Sequence, residues 1–260
     1  MDLGLSGRAA IVTGASKGLG RAIAAELVRE GAAVSICSRD RDEIDEAAAD
    51  LRDAGGRVHA AVCDVTDSGQ IRDYVADAAA ALGGLDVLVN NAGRAHPGTF
   101  ETISDEDMQR DVDVKVFSIM RCAREAVPHM RARGGGRIVN ISAVFGRAPD
   151  PGFFATSVNR AAGQALTKVL AIQLAADNIL VNGVNIGFVV TPQWEGIHRA
   201  RAPEVSQEEF FRTWAEREVP LGRFGRPDEV AGIVAFLAGA RASYITGASI
   251  DVAGGMGRYL

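Results

Sequence analysis

The sequence predicts an α/β protein, a single doubly wound parallel sheet of the Rossmann-like kind, and three observations carry that prediction. Short β-branched runs alternate with long Ala-rich segments of helical spacing. The runs are apolar throughout, as strands buried on both faces between helices require. At 260 residues the chain can bury a sizeable core and matches the length that open α/β sheets reach undivided, so one domain is expected over 1–260.

Taken in order, strands are expected in AAIVTG (9–14), AAVSICS (32–38), VHAAVCDV (58–65), LDVLVNNAG (85–93), RIVNIS (137–142) and ILVNGVNIG (179–187), with a last one inside ITGASIDVAGG (245–255). Helical spacing fills 19–31, 42–56, 68–84, 106–135, 157–178 and 227–239. Gly31, Gly55, Gly83 and Gly134 stand where four of these helices should stop. Residues 192–220 break the alternation and hold Trp194, Trp214, Phe210 and Phe211. An insertion after the sixth strand is a natural lid, because open α/β sheets bind ligands beyond the carboxyl ends of their strands. A helical surface flap is the alternative.

Net charge is −5 and no block of five or six like charges occurs, so a nucleic-acid surface lacks its footprint. Cys37, Cys63 and Cys122 are odd in number, unclustered in the sequence and set in apolar runs, which points to reduced thiols and a cytoplasmic protein. No leader pattern and no apolar run near ~18 residues is present, so no membrane span is expected. His59, His96, His129 and His198 are scattered with no Cys or acid at ligand spacing, so no metal site is expected. A Gly-x-Ser-x-Gly nucleophile turn is absent too.

The first strand runs into TGASKGLGRAIA, where Gly14, Gly18 and Gly20 let the backbone turn tightly and approach a pyrophosphate at a helix N-terminus. The Gly-x-x-x-Gly-x-Gly spacing, with NNAG at 90–93, resembles the short-chain dehydrogenase/reductase family, and the resemblance covers nearly the whole chain. It implies that Gly14, Ser16, Lys17, Gly18, Leu19 and Gly20 cradle the phosphates, that Asp64 and Val65 meet the adenine, and that Asn90, Asn91, Ala92 and Gly93 lie under the cofactor. PLGRFGRPDEVA at 220–231 and ITGASIDVAGG resemble its C-terminal signature, and Gly187, Val189 and Thr191 match its nicotinamide segment. The second strand ends in Ser38 and Arg39 instead of an acid, and Lys17 lies in the glycine loop; cations there favour the 2′-phosphate of NADP(H) over NAD. Pairing of Arg39 with Asp40 or Asp42 is the plainer reading.

The same resemblance implies four catalytic positions, a tyrosine, a lysine four residues on, a serine and a helical asparagine, and each is replaced. NISAVFG puts Ala143 at the serine, TSVNRAAG puts Thr156 at the tyrosine and Arg160 at the lysine, and registration from VPHM puts Lys115 at the asparagine. Thr156 and Arg160 lie one helical turn apart and share a face, so they can bind a carbonyl oxygen or an anion; otherwise Thr156 caps its helix and Arg160 is structural. Arginine stays protonated, so at the lysine position Arg160 can hold the cofactor's ribose and supply positive charge but is a poor proton carrier. Lys115, set beside Arg160, would have a lowered pKa and become a proton donor, unless its head reaches water. Ser142, His96, Arg94 and Arg147 are further polar candidates, and the arginines suggest an anionic or strongly polarised small-molecule substrate.

Three functions stand: an NADP(H)-dependent oxidoreductase with a rebuilt proton donor, a non-redox lyase, isomerase or dehydratase on the same scaffold, and a silent dinucleotide-binding subunit. Retention of Lys17, Arg39, Asp64 and Thr191 favours the first. The helix over 157–177 is apolar around much of its circumference, and the family pairs this helix across a twofold axis, so a homodimer or homotetramer is expected.

Overall fold

The computed structural model describes residues 1–257. The first half of the chain runs β1 (Ala9–Thr13), α1 (Gly18–Arg29), β2 (Ala33–Ser38), α2 (Arg41–Asp53), β3 (Val58–Val62), α3 (Ser68–Leu82) and β4 (Val87–Asn90). There follow α4 (Asp105–Val112), a π-helical turn (Asp113–Phe117), α5 (Ser118–Ala132), β5 (Gly136–Ala143), α6 (Phe154–Leu174) and β6 (Ile179–Ile186). The chain then forms α7 (Pro192–Arg201), α8 (Gln207–Glu218), α9 (Pro227–Ala238) and β7 (Ser249–Val252).

The seven strands make one parallel sheet in the order β3-β2-β1-β4-β5-β6-β7. Side chains alternate between its two faces with the strand period of two. Ala10, Val12, Val87, Val89, Val139 and Ile141 enter one core with residues of α1, α2 and α9. Ile11, Leu88 and Ile138 enter the other with residues of α3, α5 and α6. Strand order reverses between β1 and β4, so a crevice opens at their carboxyl ends. Both Gly14 and the 91–93 turn lie there.

Side-chain capping explains four of the helix starts. Asp40, Asp67, Ser104 and Ser206 each accept a backbone N–H from the first turn of α2, α3, α4 and α8. The start of α1, at Lys17, has no side-chain cap, so its first N–H groups stay open. Gly83 ends α3 in the left-handed region at φ +81.

The structure departs from expectation over 106–135 and in the grouping of the cysteines, while residues 192–220 are helical as expected. The single helix expected over 106–135 is broken by the π turn at 113–117, in which one extra residue per turn widens the helix around Lys115. Residues 192–220 form two helices around an aromatic core that includes Phe188, Trp194, Phe210 and Phe224. The three cysteines, dispersed in sequence, fall into one buried core because β2, the end of β3 and α5 converge on the same face. Cys37 and Cys63 neighbour each other, the Cys37 thiol being raised by Cys63 and by burial, and burial pushes the Cys122 thiol up to about 12, so it is held as an inert thiol. Among the described residues no helix is long and apolar enough to cross a membrane.

Asp86 ties the amino ends of the central strands together. Its carboxylate accepts from the Ala9 N–H at 2.9 Å, from Arg8 at 3.0 Å and from Arg133 at 3.2 Å. Burial alone would raise its pKa, but the Ala9 N–H and the two guanidiniums hold it below the usual carboxylate range. Asp86→Ala is expected to lower stability by about 2 kcal/mol, read from denaturant melts. Because the folded pKa is depressed, that stabilisation is present above the unfolded value of ~3.9 and is lost as pH falls through the folded value. The wild-type acid transition should therefore be steeper than that of the variant.

Candidate active site

The nucleotide end is assembled by backbone contact. Thr13 Oγ1 accepts the N–H groups of Asn91 and Ala92 at 3.1 Å, and Asn91 Nδ2 donates to the carbonyls of Thr13 and Gly14 at 3.0 and 2.9 Å. A β-carbon at Gly14 would lie 2.8 Å from the Ala92 Cα, and one at Gly20 would strike the Gly14 carbonyl and the Asn91 amide. These glycines are required by close approach. Thr191 faces the same loop, 3.6 Å from where a Gly18 β-carbon would stand.

The other expected nucleotide residues line the crevice unevenly. Leu19 and Val65 are buried, Asp64 accepts from the Thr66 N–H and hydroxyl at 2.9 and 2.8 Å, and Val189 bridges to Gly225. The Gly187 N–H donates to Val252 at 3.2 Å. Ser38 donates to the Asp40 carbonyl, while Arg39 is exposed and makes no ion pair among the described residues. Lys17 and Ser16 instead converge on Glu43, at 2.6 and 3.2 Å. This open helix end, backed by glycines and flanked by cations, fits the phosphates of a dinucleotide.

The chemical end gathers Lys115, Thr156 and Arg160. Lys115 is 1% exposed, and its Nζ donates to Asp111 Oδ1 at 2.5 Å and to Thr156 Oγ1 at 3.0 Å. The alternative in which its head reaches water is therefore excluded by the geometry. Asn159 Nδ2 donates to the other Asp111 oxygen at 2.9 Å, and the His96 backbone N–H donates to Thr156 Oγ1 at 2.9 Å. Thr156 is not the cap of α6; that position is Phe153, without a side-chain hydrogen bond.

Arg160 is buried, with Nη1 donating to the Ile141 carbonyl at 2.5 Å, Nη2 3.5 Å from where a Gly93 β-carbon would stand, and Nε without a partner among the described residues. Burial brings its pKa down to about 10, so it remains a cation at neutral pH. Burial and the Arg160 charge outweigh the attraction of Asp111 and bring the Lys115 pKa down to about 8. A primary amine poised near neutrality can give or take a proton. Gly93 joins the two ends, since Lys115, Val114 and Arg160 all border it.

The side chains of the four further polar candidates take other partners or face solvent. Ser142 meets Gln164 at 3.4 Å, in a second network in which Gln164 donates to Asn185 at 2.9 Å and Asn185 to Asp251 at 2.7 Å. The His96 ring turns towards Asp107, at 3.9 Å. Arg94 is exposed, and Arg147 lies 3.8 Å from Asp251. Asp111 and Asn159 were missed by sequence reasoning. Asp111 was signalled by its four-residue spacing from Lys115, whereas Asn159 is defined only by the packing of α6 on α4.

Residues 14–257 match the family described as enoyl-(acyl carrier protein) reductase. A 3-oxoacyl-[acyl-carrier-protein] reductase of Thermotoga maritima is 34% identical, with 97% of this chain and 98% of that one covered. Among solved structures, the L-sorbose reductase of Gluconobacter frateurii complexed with NADPH and L-sorbose superposes with a TM-score of 0.97 at 35% identity, covering 100% of both chains. The NADPH-bound short-chain oxidoreductase of Pseudomonas aeruginosa, whose catalytic centre is described as atypical, gives 0.91 at 34% identity, covering 98% and 99%. The chain belongs to the short-chain dehydrogenase/reductase family. It is an oxidoreductase of that family.

Gly20→Ala is expected to weaken NADPH binding at least tenfold, read by tryptophan quenching, because the added methyl must displace the Gly14 carbonyl. An equal methyl at Gly232, on α9, where a β-carbon meets nothing within 4 Å, should leave that affinity unchanged.

Proposed function

We propose that this protein is an NADP(H)-dependent oxidoreductase of a small carbonyl or hydroxyl compound in which Lys115 holds the transferable proton. The observation that carries the reading is the buried Lys115 ammonium, hydrogen-bonded to Thr156 and set beside Arg160, at the position bordering Gly93. NADP(H), when bound, supplies or takes up the hydride. The open start of α1 and its glycine loop suit the pyrophosphate, Ser38, Arg39 and Lys17 the 2′-phosphate, and Asp64 and Val65 the adenine side. Asn91, Ala92, Gly93, Gly187, Val189 and Thr191 suit the nicotinamide side. Lys17 and Glu43 form an exposed pair of little energy, readily exchanged for a phosphate.

Arg160 stays charged and fixed, so it stabilises a developing oxyanion without itself giving up a proton. In reduction Lys115 must begin protonated, and in oxidation neutral. The tie between Gln193 on α7 and the Ala95 N–H, at 3.1 Å, supports a lid role for residues 192–220. Val158, Val169 and Ile172 on α6 leave an apolar outer face, which supports assembly as a homodimer or homotetramer. Free buried thiols fit a cytoplasmic setting. Similarity to oxidoreductases that bind NADPH favours redox chemistry over a lyase or a silent subunit.

Lys115→Met is expected to lower kcat at least 100-fold on a carbonyl panel that includes L-sorbose and an acetoacetyl thioester, with NADPH affinity within about threefold of wild type. Full activity in that variant ends the reading. Reduction should be flat below pH about 8 and fall above it, and oxidation should rise through the same point. Arg39→Ala should cut the preference for NADPH over NADH about tenfold while leaving kinetics with NADH in place.

A further inference from the structure

The Thr156 hydroxyl has a hydrogen-bonding state that its position alone would not reveal. A threonine oxygen carries one hydrogen and two lone pairs. Both lone pairs are engaged, one by the His96 backbone N–H at 2.9 Å and one by Lys115 Nζ at 3.0 Å. Thr156 is 2% exposed, and among the described residues nothing accepts its own hydrogen. The one direction left at the oxygen can therefore meet a ligand only by donating.

Resting on the reading of Lys115 given above, we propose that Thr156 is the catalytic residue that touches the substrate oxygen, handing its proton to it and taking one in turn from Lys115. In reduction the carbonyl carbon accepts the hydride of NADPH, which is oxidised, while the carbonyl oxygen takes the Thr156 hydrogen. The Thr156 O–H bond breaks as the substrate O–H bond forms, and a Lys115 N–H bond breaks as the Thr156 hydroxyl is restored. Lys115 ends as a neutral amine whose new lone pair can accept from Thr156, so the same path runs backwards for oxidation.

The donors on the Thr156 oxygen polarise its O–H bond and stabilise negative charge on the oxygen while the proton is between partners. Asp111 and Asn159 are positioning residues. Asn159 fixes one Asp111 oxygen and the other holds Lys115 Nζ, so the ammonium cannot swing away from Thr156. Their four-residue and inter-helix spacings place Asn159, Asp111, Lys115, Thr156 and the His96 N–H in one hydrogen-bonded row. The substrate class that suits this end is one whose reacting group is a hydrogen-bond acceptor on an electrophilic carbon, the carbonyl oxygen of a ketone or aldehyde.

The test uses whichever of L-sorbose and an acetoacetyl thioester the wild type reduces faster with NADPH. Thr156→Val, which keeps the shape and removes the hydroxyl, should lower kcat/KM at least 100-fold, and Thr156→Ser should stay within about tenfold of wild type. NADPH affinity should shift less than threefold in both. The dependence of kcat/KM on deuterium fraction should be bowed, as two protons in flight require, in the wild type and in Thr156→Ser. Asp111→Asn should move the pH inflexion of reduction to lower pH, because it removes the negative charge that favours the Lys115 ammonium; a merely structural role would leave the inflexion in place.

Thr156→Val at full rate beside an inactive Lys115→Met would overturn the relay and leave Lys115 as the direct donor. Activity in Lys115→Met, or a wild type that reduces neither probe, would overturn both. Should Thr156→Val fail to fold, a linear deuterium dependence in the wild type decides against the relay.

Discussion

An ammonium group shut away from water, held by one carboxylate and one hydroxyl, governs the chemical end of this molecule. Burying a cation is costly unless it is paired with a counter-charge and hydrogen-bonded, and a partner removed from such a pair leaves a worse charge behind. Lys115 meets that requirement through Asp111 on the preceding turn and Thr156 across the helix interface. Asp111 is held in turn by Asn159. Three elements, α4, the π turn and α6, are thus locked in register by polar contacts.

The nucleotide end obeys a different constraint, which is steric. The loop after β1 and the turn after β4 approach so closely that side chains at Gly14 or Gly20 have no room, and Thr13 and Asn91 stitch the two segments with four hydrogen bonds. Gly93 carries this packing into the chemical end, with Arg160 on its other side. Position of the dinucleotide cradle and position of the guanidinium are therefore linked through one residue without a side chain. Arg160 is additionally anchored to the Ile141 carbonyl at the end of β5.

Helix α6 separates two polar networks that a reading along the chain would merge. Thr156, Asn159 and Arg160 serve the Lys115 cluster, whereas Gln164, one turn further, serves Ser142, Asn185 and Asp251. The first contains the shifted titratable groups. The second ties β5 and β6 to β7 and holds the sheet edge under the aromatic core of residues 188–224.

Local pattern by itself determined the sheet, its parallel sense and the glycine cradle, whereas the expectation that Thr156, Arg160, Ala143 and Lys115 stand at the tyrosine, lysine, serine and asparagine positions came only from the family resemblance. Periods of two and 3.6 residues and the backbone freedom of glycine are written in neighbouring letters, so they are legible there. The π turn was not, because a single extra residue in a helix leaves the apolar spacing almost unchanged. Nor was the meeting of three dispersed cysteines, the pairing of Lys17 with Glu43, or the distinction between Ser142 and the Lys115 cluster. Whether Lys115 faces solvent or a buried carboxylate depends on how α4 and α6 pack, and tertiary structure alone decides that, since desolvation and charge act through space between residues 41 or more positions apart.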